Sequence, residues 1–213
     1  HYRQLGQTDA ALTHYRAAQL VQPAHLETLV QLSSLLLTQG AADEVLKLCR
    51  RGIARHPEDV RTSKLYFAQG LVRLRRNQYR QARTDLELAL ELDPSSAKAW
   101  NNLGNALLAL GETAEARRAL EAAVSADPTL ADAPYNLGSL FLQQGQLDRA
   151  RRAYLAAIAA DSTFARTYYA LATVYQAQGA IPQARQTYQD FIERWQGDPD
   201  FLRQAHEKLA QLH

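Results

Sequence analysis

A repeat with a period close to 34 residues constrains the fold of this chain more than any other feature of its sequence. Small turn-forming residues recur at intervals of 34, 37, 34, 34 and 34 residues. They are Gly6, Gly40, Asn77, Gly111, Gly145 and Gly179. A period of this length predicts a stack of similar supersecondary units rather than a closed globule around one catalytic cleft. A binding surface is therefore the leading functional interpretation.

The unit over residues 97–130 shows the pattern most clearly. Apolar residues at positions 4, 7 and 11 of this unit lie on one face of a helix. Gly111 can end that helix in the left-handed conformation, and a second apolar helical face follows it. Pro128 then stops the second helix, because proline lacks a backbone donor and disfavours helix in the residue before it. The unit is predicted to be helix, tight turn, helix and short loop.

This arrangement resembles the tetratricopeptide repeat (TPR) family. The residues that carry the resemblance in this unit are Trp100, Leu103, Gly104, Leu107, Ala116, Leu120, Ala123 and Pro128. Four other units keep most of the same pattern in phase with this one. The resemblance implies an all-α fold, an α-solenoid of helix-turn-helix repeats that form a right-handed superhelix.

In this register the whole chain is a single TPR array. It contains a partial repeat at 1–25, repeats at 26–62, 63–96, 97–130, 131–164 and 165–198, and a C-terminal capping helix at 199–213. Because His1 falls in the middle of a first helix, we expect the chain to be a fragment of a longer protein. The last helix has an alternative interpretation, as a sixth repeat that stops after its first helix.

The repeat over residues 63–96 is expected to be the least regular. Three extra residues precede it, within residues 58–62, and they lengthen either a helix or a loop. Arg73 stands where an apolar residue is usual. Because a buried unpaired guanidinium is costly, we expect its side chain to reach solvent.

Composition argues against several classes of function. The net charge of +2 implies no strong attraction to nucleic acid, and the six histidines lack metal-ligand spacing. The single cysteine, Cys49, is expected to be a buried inert thiol. We find no phosphate-binding glycine loop, catalytic constellation, cofactor motif or transmembrane segment in the sequence. The richness in Ala, Leu, Arg and Gln favours a bacterial source, with cytoplasm and periplasm both open.

The TPR resemblance implies that the first helix of each repeat lines a concave groove. The predicted peptide-binding residues are Lys64, Phe67, Leu71, Lys98, Asn101, Asn102, Asn105, Tyr135, Asn136, Ser139, Arg166, Tyr169, Thr173 and Gln176. Their amides and hydroxyls can bond an extended backbone, and their aromatic rings can hold side chains. The alternative is that the asparagines are exposed polar positions beside a groove without a peptide ligand.

A run of five arginines is the sharpest charge feature. It consists of Arg73, Arg75, Arg76, Arg80 and Arg83. Asp85, Glu87 and Glu91 follow closely, which favours a solvated face with surface ion pairs. The alternative is a docking patch for an acidic partner.

The favoured hypothesis is a non-enzymatic scaffold or adaptor that binds an unidentified protein or peptide in its groove. Two alternatives stay open: the docking arm of a larger enzyme, and a helical-repeat RNA binder, against which the near-neutral groove argues. Self-association through the helix end at His1 is also open.

Overall fold

The structure, a computed structural model, describes the backbone of residues 2–212 and the side chains of residues 7–212. Over this range the protein is all-α and 80% helical, with twelve α-helices, one short 3-10 helix and no strand. The helix-turn-helix order is that of an α-solenoid of TPR-like repeats. The predicted fold class is therefore confirmed, and the right-handed superhelix stays a prediction. His1, the proposed site of self-association, lies outside the described residues.

The chain divides into two compact units, the first ending at Ala116 and the second beginning at Arg117. The first unit contains α1 (Tyr2–Val21), α2 (Leu26–Thr38), α3 (Ala42–Arg55), α4 (Ser63–Arg75), α5 (Tyr79–Leu92) and α6 (Ala97–Ala109). The boundary falls inside α7 (Thr113–Ala126). The second unit contains α8 (Asp132–Gln143), α9 (Leu147–Ala160), α10 (Ala165–Ala177), α11 (Ile181–Arg194) and α12 (Pro199–Ala210).

The turn between the two helices of a repeat needs one residue in the left-handed region. The glycines at four such turns have φ between 69° and 79°, and Asn77 replaces glycine at the fifth with a φ of 57°. Asparagine is the residue other than glycine that most readily adopts this conformation. The tight turns predicted from the repeat are confirmed at these positions.

In the first unit, the second helix of each repeat packs between first helices. Leu29 and Leu32 of α2 are fully buried in one cluster with Val45 and Cys49 of α3 and Leu65 of α4. Burial raises the pKa of the Cys49 thiol to about 12. A thiol in this environment is protonated and inert, as the sequence predicts.

The extra residues before the repeat at 63–96 form a short 3-10 helix, Val60–Thr62, rather than a longer α-helix. The carboxylate of Asp59 caps it by accepting from the Arg61 backbone N–H at 2.9 Å. The Thr62 hydroxyl closes the segment by donating to the His56 carbonyl at 2.6 Å. The insertion is therefore absorbed before α4, which begins at the predicted Ser63.

Arg73 reaches solvent only in part, with 27% of its side chain exposed, and its guanidinium is paired within the hairpin. Its Nη1 lies 2.8 Å from Oδ1 of Asp85, whose side chain is only 5% exposed. The carboxylate comes from α5, the partner helix of the same hairpin. Because an opposite charge compensates the guanidinium, Arg73 can occupy a position that is usually apolar.

In the second unit, the last helix begins at the predicted Pro199. The Asp198 carboxylate caps α12 by accepting from the Asp200 backbone N–H at 2.8 Å. Ala205 and Leu212 are buried in a cluster that includes Tyr188 and Phe191 of α11. Apolar residues at this end of the chain therefore pack on the preceding helix.

Candidate functional site

A groove lies between α2 and α4, the first helices of two successive repeats in the first unit. Its volume is about 430 Å³. It is lined by Val30, Gln31, Ser34, Leu37 and Thr38 from α2 and by Lys64, Phe67, Ala68, Leu71 and Arg75 from α4. We call it the α2–α4 groove. It brings together three of the predicted peptide-binding residues, Lys64, Phe67 and Leu71.

The α2–α4 groove combines an apolar floor with polar edges. Val30 and Ala68 are buried in the floor, and Phe67 and Leu71 are half-buried along it. Gln31 donates its Nε2 to Glu27 at 2.6 Å, and Ser34 is exposed. An apolar side chain could enter such a groove while its backbone meets the amide and hydroxyl groups.

Two cations stand at the ends of this groove. Lys64 is in the first turn of α4 and Arg75 is its last residue. Arg75 donates its Nη1 to the Leu37 carbonyl at 2.9 Å. Within the described part of the chain, neither Lys64 nor Arg75 has a carboxylate at ion-pair distance.

A second groove, in the second unit, is aromatic. It has a volume of about 410 Å³ and is lined by Tyr135, Arg166, Tyr169, Ala170, Trp195, Asp198 and Phe201. The ring centroids of Tyr169 and Phe201 are 4.5 Å apart. The Arg166 guanidinium lies 5.9 Å from the centroid of the Trp195 ring. Burial raises the pKa of the Tyr169 hydroxyl, so it stays a neutral donor. We call this the α8–α10–α12 groove.

The second groove contains residues that the sequence analysis did not select. Tyr135, Arg166 and Tyr169 were predicted from their positions in first helices. Trp195 and Phe201 were missed because they lie outside the repeat positions that the TPR resemblance assigns to the groove. A tryptophan at the end of the last full repeat was the available signal.

The predicted residues on α6 are only partly available to a ligand. Asn101 is 7% exposed, so its placement at the surface of a groove is wrong: the side chain is buried. Asn102 donates its Nδ2 to the Lys98 carbonyl at 2.7 Å, which occupies one of its two donors. Lys98 is exposed and Asn105 is half-buried.

Polar groove candidates in the second unit are mostly engaged inside the protein. The Ser139 hydroxyl lies 3.0 Å from the Tyr154 hydroxyl, and Thr173 donates to the Ala170 carbonyl at 2.6 Å. Gln176 accepts from the Tyr188 hydroxyl at 3.2 Å. Asn136 is half-buried.

The five arginines do not form one surface. Arg76 pairs with Asp43 at 2.9 Å, and Arg83 pairs with Glu87 at 2.8 Å and with Glu112 at 2.6 Å. Arg73 is paired with Asp85, and Arg75 belongs to the α2–α4 groove. Arg80 is exposed on α5. Ion pairing within the protein therefore explains three of the five, and docking of an acidic partner on Arg80 and its neighbours stays a prediction.

Family profiles match much of the chain. Three profiles described as tetratricopeptide repeat or TPR repeat match residues 67–131, 138–179 and 166–197, which together exceed half of the chain. The chain belongs to the tetratricopeptide repeat family. No curated protein matches this TPR chain.

Solved TPR structures share the fold. The crystal structure of MamA has a TM-score of 0.66 at 24% identity. The match covers 84% of this chain and 96% of the MamA chain. YrrB, a TPR protein with an unusual peptide-binding site, has a TM-score of 0.67 at 19% identity. The match covers 91% of this chain and 97% of the YrrB chain. PilF of Pseudomonas aeruginosa has a TM-score of 0.73 at 18% identity. The match covers 97% of this chain and 90% of the PilF chain.

Among residues 2–212, no three His, Cys, Asp or Glu side chains are grouped as metal ligands would be. No helix in the same range combines the length and apolar character needed to cross a membrane.

Proposed function

We propose that this TPR chain is a non-catalytic scaffold that binds an extended segment of a partner protein along the first helices of its repeats. The observation that carries the proposal is the α2–α4 groove. All ten residues that line it come from two first helices, and no second helix contributes. This is where the TPR resemblance implies a peptide site.

The shape and chemistry of the α2–α4 groove suit a peptide. Its volume of about 430 Å³ is within the range of sites for small ligands or a few side chains. Phe67 and Leu71 offer apolar contact, and Gln31 and Ser34 offer groups that can bond a peptide backbone. YrrB, a TPR protein with an unusual peptide-binding site, has the same fold and supports this class of ligand. A docking arm of a larger enzyme would use the same groove.

Selection from a displayed library of random dodecapeptides tests this function. Enriched peptides would be titrated by fluorescence anisotropy against the unchanged chain, a Phe67→Ala, Leu71→Ala variant and a Leu155→Ala control. Leu155 is 44% exposed on α9, a second helix, so its removal tests for nonspecific apolar binding. Circular dichroism would confirm that all three proteins are equally helical.

We expect the groove variant to bind at least about tenfold more weakly, because apolar anchors in a pocket carry most of the energy of such contacts. The Leu155→Ala control should bind unchanged. Failure to enrich any peptide, or equal binding by all three proteins, would contradict the proposed function.

A further inference from the structure

We infer that the α2–α4 groove selects an acidic segment that carries a bulky apolar side chain between its acidic residues. This inference rests on the proposed peptide-binding function and specifies the chemistry of the ligand. Its basis is a stripe on α4 that has a cation at each end and apolar side chains between them.

The stripe follows helical spacing. Lys64, Phe67, Leu71 and Arg75 are separated by three, four and four residues, which places all four on one face of α4. All four line the groove. A ligand that lies along this face therefore meets a positive charge, two apolar side chains and a second positive charge in order.

The two cations differ from the other charged side chains nearby because their charges are not neutralised by the protein. Arg73, Arg76 and Arg83 hold carboxylates at distances between 2.6 and 2.9 Å. Lys64 and Arg75 hold none within the described residues, and no Asp or Glu lines the groove. The groove is therefore electrostatically complementary to carboxylates on a ligand.

Arg75 is held in place by one hydrogen bond, and most of its N–H donors stay available to a ligand. One of its Nη1 donors is used by the Leu37 carbonyl at 2.9 Å, which anchors the guanidinium beside the end of α2. A guanidinium has five N–H donors, so four stay available. The others can bond a carboxylate, which guanidinium groups bind with good geometry.

The distance between the cations sets the spacing of the ligand's charges. Arg75 is eleven positions after Lys64 on the α-helix, a rise of about 16 Å at 1.5 Å per residue. An extended peptide covers that distance in about five residues at roughly 3.3 Å each. We therefore expect acidic residues about five positions apart, with the apolar residue between them.

The library selection described above tests this inference when it is run in parallel on charge variants. The first variant is Lys64→Gln, Arg75→Gln. The control is Arg50→Gln, Arg118→Gln, which removes the same charge from exposed positions on second helices, α3 and α7. Enriched peptides would also be titrated beside copies in which every Asp and Glu is replaced by its amide.

The expected result is an excess of acidic residues among peptides enriched on the unchanged chain and on the control. The Lys64→Gln, Arg75→Gln variant should lose that excess and bind the acidic peptides about two- to thirtyfold more weakly, as expected for two partly exposed ion pairs. A Lys64→Glu, Arg75→Glu variant should enrich basic peptides instead.

Two results would overturn the inference and are distinguishable from each other. Peptides that enrich without an acidic excess, or equal binding of the acid and amide forms, would contradict the ligand chemistry and leave peptide binding intact. No enrichment on any variant would contradict the proposed function, and the inference with it.

Discussion

At the residue scale, Gly138 sets how closely α8 approaches α9. A Cβ at this position would lie 2.8 Å from Cδ1 and from Cε1 of the Tyr154 ring, which is itself 1% exposed. We expect Gly138→Ala to lower the free energy of unfolding by about 1–3 kcal/mol, because overpacking outweighs the gain in helix propensity of roughly 1 kcal/mol. Urea denaturation followed by circular dichroism would measure it.

A smaller partner provides the control for this prediction. In a Gly138→Ala, Tyr154→Leu double variant, the added methyl has more room, so the two changes should be less damaging together than their sum. Additive losses, or a Gly138→Ala variant as stable as the unchanged chain, would show that the close packing is not there.

Asp85, buried beside the partly exposed Arg73, makes stability depend on pH. Burial raises the pKa of Asp85 to about 6, and the Arg73 charge opposes that rise. Because the pKa in the folded protein is above the ordinary value, stability from this group is fully present below about pH 4 and is lost as pH rises through 6. Relative to Asp85→Asn, the free energy of unfolding should fall by about 3 kcal/mol between pH 4 and pH 7.

Removing the cation tests the pair from its other side. Arg73→Met should raise the pKa of Asp85 further, because the charge that opposes burial is gone. Its stability deficit relative to the unchanged chain should therefore be larger at pH 7 than at pH 4. A deficit that is the same at both pH values would show that Asp85 is not ionised beside Arg73.

The sequence identified Arg73 as unusual but did not predict its ion-pair partner, Asp85. The repeat register correctly identified Arg73 as a charged residue at an apolar position. The register describes which face of each helix is apolar, but it does not say which side chains meet across a hairpin. Asp85 is on the other helix, twelve residues away, and only the packing of α4 against α5 brings the two charges together.

At the element scale, the start of α12 depends on one carboxylate. Asp198 caps the helix at 2.8 Å, so Asp198→Ala should destabilise α12 by about 0.5–2 kcal/mol. Amide hydrogen exchange should show loss of protection in α12 and little change in α8 and α9, because helix ends open locally. Asp200→Ala is the matched control, since among the described residues the Asp200 side chain makes only an exposed pair with Arg203. Equal loss of protection in both variants would contradict the capping role.

Helix boundaries were largely predictable because the residues that begin and end a helix lie next to its ends in the sequence. The starts of α4, α6 and α12 fall at the first residue of the predicted segments. Asn77 could be placed at a turn because the period put it where glycine stands elsewhere. The 3-10 helix at Val60–Thr62 was not predictable, since three inserted residues fit either a longer helix or a longer loop.

At the scale of the whole molecule, the repeat predicts a binding surface more securely than its ligand. First-helix positions led to Lys64, Phe67 and Leu71, which line one groove. Arg75 was assigned to an arginine patch because sequence proximity linked it to Arg76 and Arg83. Asn101 was expected at a surface because its repeat position faces the groove, but local packing buries it. Exposure depends on neighbouring side chains, which a repeat register leaves unspecified.

The most direct test of peptide binding between α2 and α4 is a methyl-detected NMR titration with an enriched dodecapeptide. The methyl groups of Val30, Leu37 and Leu71 report on the α2–α4 groove, and those of Leu20 and Leu155, 84% and 44% exposed, report on apolar surface elsewhere. We predict saturable shifts of the three groove residues with Leu20 and Leu155 unmoved. Shifts confined to Leu20 or Leu155, with the groove methyls unchanged, would contradict the account.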